Sequence, residues 1–241
     1  MDLASPSGLM MLPRSPLPLL LTLVALLALT LGPTEARAGA ITGGELNAPG
    51  ERSHNVAGAW PEFFYVWEGH VTEKYALGPW VSLQLYPFAG SVGLHARMRL
   101  MEKAKVSVAL AVVPTFNFAG FGGSRASYLA YVGGSQFGRS STFRPSLGPG
   151  VNVAVRASVD VAPQWKLNLS FENPIALWIW TNPAAWWIEW PLSFTGGVEY
   201  DVNHSTTVFG RVGGGPAIAF TGTNQLLGAH WHVHIGGQFR Y

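Results

Sequence analysis

Residues 150–162, "GVNVAVRASVDVA", put Val151, Val153, Val155, Ala157, Val159 and Val161 on one side of an extended chain. Asn152, Ala154, Arg156, Ser158 and Asp160 fall on the other. Period-two alternation marks a strand with unlike faces, because successive side chains of a strand point in opposite directions. The pattern recurs along the chain. Val92, Leu94, Ala96, Met98 and Leu100 oppose His95, Arg97 and Arg99. Leu167, Leu169, Phe171, Ile175, Leu177 and Ile179 oppose Lys166, Asn168, Ser170 and Glu172. Trp186, Ile188, Trp190, Leu192, Phe194, Val198 and Tyr200 oppose Glu189, Ser193, Thr195, Glu199 and Asp201. A helix, with its period of 3.6, does not sustain such alternation.

Short polar or Gly/Pro-containing breaks at 87–90, 101–105, 162–164, 181–185, 202–205 and 222–225 read as turns. Residues 133–146, "GGSQFGRSSTFRPS", read as one long loop. Strand centres then fall near Phe64, Leu83, Ala96, Leu110, Leu129, Val155, Leu169, Leu192, Val212 and Val233. The first and fifth of these alternate poorly, so the count is about ten, with eight as the alternative.

Alternation leaves open which face is outside, and composition decides it. Charged residues are 12% of the chain, against about 25% in ordinary soluble domains. That is too few to coat a soluble surface. The aromatics collect at strand ends. Trp178, Trp180, Trp186, Trp187 and Trp190 crowd the 181–185 turn, and Trp165, Tyr200, Phe239 and Tyr241 lie at the opposite ends of their strands. Two belts at two heights suit two membrane interfaces. The segments are long enough to cross hydrocarbon as tilted strands. In lipid every backbone donor and acceptor needs a partner, so the sheet must close. The expected fold is all-β, a closed antiparallel up-and-down transmembrane β-barrel over residues 56–241. A secreted soluble β-barrel binding an apolar ligand is the alternative, with the same faces reversed.

Residues 1–38 carry an early cation, Arg14, then an apolar run from Leu19 to Leu31, then Ala36-Arg37-Ala38 as a small-x-small cleavage site. The run has signal-peptide length and is short for a spanning helix. Residues 39–55 read as a flexible lead-in. The chain has no cysteine, which excludes disulfides, thiolate metal sites and a lipid anchor on an N-terminal cysteine. Its net charge of +2 offers no nucleic-acid surface.

With this start, these strands and the ending "HIGGQFRY", the chain resembles the small outer-membrane β-barrel proteins of Gram-negative bacteria. Members of that class end in a strand of alternating apolar residues with a final aromatic, read by the barrel-assembly machinery. Val233, Ile235, Gly237, Phe239 and Tyr241 occupy that face here, with Tyr in place of the usual Phe. The resemblance implies an outer-membrane location, lipid and the assembly machinery as partners, turns such as 162–164 and 202–205 in the periplasm, and the 133–146 loop outside. A monomer is expected.

On this reading His230, His232 and His234 point into the lumen with Gln238 and Arg240. Same-face neighbours on a strand are about 6.8 Å apart, so two adjacent imidazoles could pinch one metal ion and a third ligand would have to come from another strand. The preceding strand offers Gly213, Gly215, Ala217 and Ala219, which bind nothing. Glu62 or Glu68 could close a site. The competing account is a polar lumen packing rings against small residues. Arg97, Arg99, Arg156, Lys166, Arg211 and Arg240 face inward with Asp160, Glu172, Glu189, Glu199 and Asp201, and buried charges demand partners. A side-chain network filling most of the lumen is expected.

No cofactor is expected. The leading functional reading is a non-enzymatic barrel with a structural, adhesive, or small-molecule binding or passage role. The loop cations Arg139 and Arg144 are candidates for lipopolysaccharide phosphates or for plain solvation. The rival is an outer-membrane lipid hydrolase or acyltransferase, which needs a hydroxyl, an imidazole and a carboxylate within reach. The sequence offers His204 beside Ser205 on a turn, and His95 without an evident serine.

Overall fold

The computed structural model describes residues 40–60, 62–84, 88–119, 146–181, 184–221 and 224–241. Its strand segments are β1 (Arg52–Trp60), β2 (Phe63–His70), β3 (Tyr75–Gln84), β4 (Ala89–Lys103), β5 (Val106–Ala119), β6 (Ser146–Ala162), β7 (Trp165–Thr181), β8 (Ala184–Pro191), β9 (Ser193–Asn203), β10 (Thr206–Thr221) and β11 (Asn224–Arg240). Apart from β8 and β9, each pairs antiparallel with its chain neighbour, and β1 pairs with β11 from Ser53 opposite Arg240 to Trp60 opposite Val233. The sheet therefore closes.

β8 and β9 are two halves of one stave. Both pair with β7 on one side and β10 on the other. The ladder breaks beside Pro191, which has no N–H to give. Leu192 resumes it by donating its N–H to the Pro216 carbonyl at 2.9 Å. The barrel thus has ten staves in eleven segments. Nine of the expected strands correspond to β2 through β11. The tenth, expected near Leu129, lies outside the described residues, as do the signal segment 1–38, Arg139, Arg144 and nearly all of the 133–146 loop. Its place in the count is taken by β1.

The faces fall as lipid exposure requires. Leu94, Leu169, Phe194, Val212 and Ile235 are each more than half exposed, while Glu68, Arg97, Glu199, Asp201 and Gln238 are at most 1% exposed. This is the reverse of a soluble barrel with an apolar interior. Hydrocarbon on the outside of an ordered sheet and ion pairs on the inside are stable together only against lipid.

The start of β1, the end of β11 and the short turns at 71–74, 104–105, 163–164 and 204–205 share one rim, here the terminal rim. Aromatics gather there. His54 stacks on Tyr241 and Tyr65, its Nδ1 lies 2.7 Å from the Tyr65 hydroxyl, and Trp67 Nε1 donates to the Tyr241 hydroxyl at 3.0 Å.

The opposite belt needs correction. Trp186 is half exposed, but Trp178 and Trp187 point inward and stack at 5.8 Å. Trp178 Nε1 donates to Glu189 Oε2 at 3.0 Å. Both follow the alternation itself, since Trp178 shares its phase with Glu172 and Trp187 shares its phase with Glu189.

The lead-in expected over 39–55 is also corrected. Residues 40–47 lie inside the terminal half of the lumen, with Ala40, Ile41, Thr42, Leu46 and Asn47 at most 4% exposed, and β1 begins at Arg52. The segment lacks periodicity because its partners are side chains of distant strands, so no local pattern records it.

Val155, at the middle of β6, faces outward opposite Leu110 and Phe171. Val155→Arg is expected to destabilise the barrel by about 2–4 kcal/mol, read from equilibrium unfolding in lipid vesicles. A loss near zero would contradict a lipid-facing position.

Candidate functional site

Residues 40–47 form a plug, held mainly by polar contacts. Glu199 accepts from the Ala40 amide (3.2 Å) and the Thr42 hydroxyl (2.6 Å). Asn55 Oδ1 accepts from the Ile41 amide (3.2 Å), and Ser158 Oγ from the Gly44 amide (2.8 Å). Three arginines donate to plug carbonyls. Arg97 Nη1 reaches Ala40, Gly43 and Glu45 at 3.1–3.3 Å, Arg156 Nη1 reaches Ile41 at 2.6 Å, and Arg99 Nη2 reaches Leu46 at 3.2 Å. Lys166 pairs with the Glu45 carboxylate.

The apolar anchors are few. Ala40 and Ile41 pack on Ala57, Phe64, Val66 and Phe209, and Leu46 packs on Ala76 and Ala109. Gly43 and Gly44 permit the close approach. A Cβ on Gly43 would stand 2.2 Å from Ser158 Oγ, and one on Gly44 would stand 2.3 Å from the Ser107 carbonyl.

The inward charges fall where alternation places them. Arg97, Arg156, Lys166, Arg240, Glu172, Glu189, Glu199 and Asp201 are buried, while Arg99, Arg211 and Asp160 are partly buried. Arg97 grips Glu68 through two parallel bonds of 2.7 and 2.6 Å, with both side chains fully buried. His95 Nδ1 and His70 Nε2 flank the same carboxylate at 3.5 Å. Glu68 is therefore committed to Arg97 and is not brought to the β11 histidines.

Removing one member of a buried pair strands the other charge. Glu68→Gln should cost about 3–5 kcal/mol of stability, measured by denaturant unfolding of the refolded protein. A change under about 1 kcal/mol would mean that the pair resembles an exposed one.

In the other half of the lumen, above the plug, lies a cavity of about 140 Å³. His230, His232 and His234 form one wall, each at most 9% exposed. Their rings form a column, His230 stacked on His232 at 6.2 Å between centroids and His234 tilted against His232 at 4.8 Å. The small β10 residues do face them, Gly213 opposite His232 and Gly215 opposite His230. A Cβ on Gly213 would stand 2.8 Å from His232 Nε2, so the glycine makes room for the ring.

The histidines are engaged with protein groups. His232 Nε2 lies 3.2 Å from the Thr195 hydroxyl, and His234 Nδ1 accepts from Arg211 Nε at 3.1 Å. Arg211 also pairs with Glu172 at 2.8 Å. Glu62 lines the cavity with the three histidines. Among the described residues, however, no group of three His, Asp or Glu side chains is placed to hold a metal ion.

Of the groups weighed for hydrolytic chemistry, Ser205 donates its hydroxyl and amide to Asn203 Oδ1, both at 2.9 Å, while His204 stays exposed. His95 is held among Glu68, Arg156 and Trp80. The Thr195–His232 contact was not anticipated. It pairs a hydroxyl with an imidazole, but no carboxylate is hydrogen-bonded to that ring among the described residues.

No protein-family profile and no curated protein matches the chain. Several solved structures are similar to it in outline. The outer membrane protease OmpT from Escherichia coli is 8% identical over 79% of this chain and 92% of its own, with a TM-score of 0.36. The KdgM porin, solved in complex with disordered oligogalacturonate, is 7% identical over 78% and 98%, with a TM-score of 0.37. The CymD monoaromatic hydrocarbon channel is 14% identical over 81% and 72%, with a TM-score of 0.33. The fold itself is a closed antiparallel β-barrel with an apolar outer face and a polar, charged lumen.

Proposed function

We propose that the protein is a non-enzymatic outer-membrane barrel that binds a small molecule in its lumen rather than conducting freely. The carrying observation is the plug. Residues 40–47 are buried in the terminal half of the lumen, and they touch Arg156 and Phe64, which line a cavity in the other half. With the terminal rim toward the periplasm, that cavity faces the outside. A solute reaching the histidine column meets Arg156, whose guanidinium is bonded to the Ile41 carbonyl of the plug.

Lipid is the partner of the outer surface. The outward face of the last strand, with Ile235, Phe239 and Tyr241 more than half exposed, is the feature presented to the assembly machinery. A monomer fits this reading, because among the described residues the closed sheet offers no edge strand for a second copy to extend.

Planar-bilayer recording tests the reading. The full-length barrel is expected to be nearly silent, and a variant lacking residues 40–47 to conduct severalfold more. Gly44→Val, which forces a side chain against the Ser107 carbonyl, should give intermittent openings. Steady conductance of the intact protein equal to that of the deletion variant would overturn the plugged reading.

A further inference from the structure

Arg156 is the anomaly of the lumen. Arg97, Arg99, Lys166 and Arg211 each have a carboxylate partner: Glu68, Glu102, Glu45 and Glu172. Arg240 has none within 4.0 Å among the described residues but sits at the terminal rim. Arg156 lies at mid-barrel, is 3% exposed, and has no carboxylate within 4.0 Å among the described residues. Its Nη1 donates to the Ile41 carbonyl at 2.6 Å and lies 3.2 Å from His95 Nε2, while its Nε has no hydrogen-bond partner. The same side chain lines the floor of the cavity. The carboxylates that act on Arg156, Glu172 and Glu68, lie beyond ion-pair distance and are paired to Arg211 and Arg97; a buried guanidinium so placed is costly, and its forked donors match a carboxylate geometrically.

We infer that the cavity is a binding site for a small organic monocarboxylate, seated with its carboxylate on Arg156. The remaining lining narrows the class. Glu172 is neutralised by Arg211 and accepts from Asn152, and Glu189 accepts from the Trp178 indole. These acceptors and Glu62 repel a second negative charge and favour hydrogen-bond donors. The ligand therefore carries hydroxyl or ammonium groups beyond its single carboxylate. Phe64 and Trp80, stacked at 5.2 Å, offer an apolar surface to its carbon skeleton. Space of about 140 Å³ suits a solute the size of a few water molecules. Arg156 also holds the plug through Ile41, so a carboxylate that draws the guanidinium upward competes with a plug contact.

The inference rests on the plugged-cavity reading, and conductance tests that reading separately. Calorimetric titration of the refolded protein in non-ionic detergent uses three probes: lactate, its neutral analogue lactamide, and the dicarboxylate malate. Lactate is expected to bind about tenfold or more tightly than lactamide, the difference made by charge-assisted hydrogen bonds, and more tightly than malate. Arg156→Gln should abolish the preference for lactate while retaining the folded barrel's shift on an unboiled gel. Equal binding of lactate and lactamide, undetectable lactate binding, or an Arg156→Gln barrel that keeps the preference would each overturn the inference. If Arg156→Gln fails to fold, the three-probe comparison on the unsubstituted protein decides alone. A silent barrel without lactate preference sinks only this inference, whereas an openly conducting one sinks the plugged reading.

Discussion

Hydrocarbon cannot solvate a peptide group. Once the apolar faces of these strands meet lipid, every amide and carbonyl in the sheet needs a partner within it, and the first strand must meet the last. The β1–β11 ladder meets that demand over eight residue pairs, Ser53–Arg240 to Trp60–Val233. Closure then dictates the inside. Side chains alternate, so each lipid-facing residue commits its neighbours to an enclosed space. Arginines, lysines and carboxylates gathered there must satisfy one another or find some other partner.

The plug is that other partner. Peptide carbonyls of residues 40, 41, 43, 45 and 46 accept from Arg97, Arg156 and Arg99, and plug amides supply donors to Glu199, Asn55 and Ser158. The segment acts toward the lumen charges as water acts toward an exposed surface, but with fixed geometry. Four of its eight residues, Ala40, Thr42, Gly43 and Gly44, are small, so its contribution is more backbone than hydrophobic burial, and its position depends on the strands around it. Arg156 stands at the boundary between the plugged and unplugged halves, which links the two physically.

Alternation made most of the barrel legible. β6 and β7 follow it residue by residue, with Arg156, Ser158, Lys166, Asn168 and Glu172 inside, and Val155, Leu167, Leu169 and Phe171 outside. It also fixed the inward direction of His230, His232 and His234. β1 escaped because "RSHNVAGAW" places small residues, Ala57 and Gly58, where larger ones would have made the two faces distinct. In the sequence Trp178 and Trp187 read as part of the lipid belt because their clustering beside a turn outweighs their phase along the strand, whereas that phase places them inside. The plug was illegible for a different reason. Nothing within residues 40–47 repeats, and the acceptors and donors that hold them are supplied from β1, β4, β6, β7 and β9. The inward charges gave no sign of the plug, because Arg97, Arg99, Arg156, Lys166, Arg211 and Arg240 nearly balance Asp160, Glu172, Glu189, Glu199 and Asp201.

The plug immediately precedes β1, and β1 starts on the same rim where β11 ends. Residues 48–51 join the two with only a turn, in which the Gly50 amide binds the His70 carbonyl. The segment can therefore enter through the mouth beside its own attachment point. Residues 40–47 need not cross the wall of the cylinder to reach their seat, so sealing it and stoppering it can occur in either order.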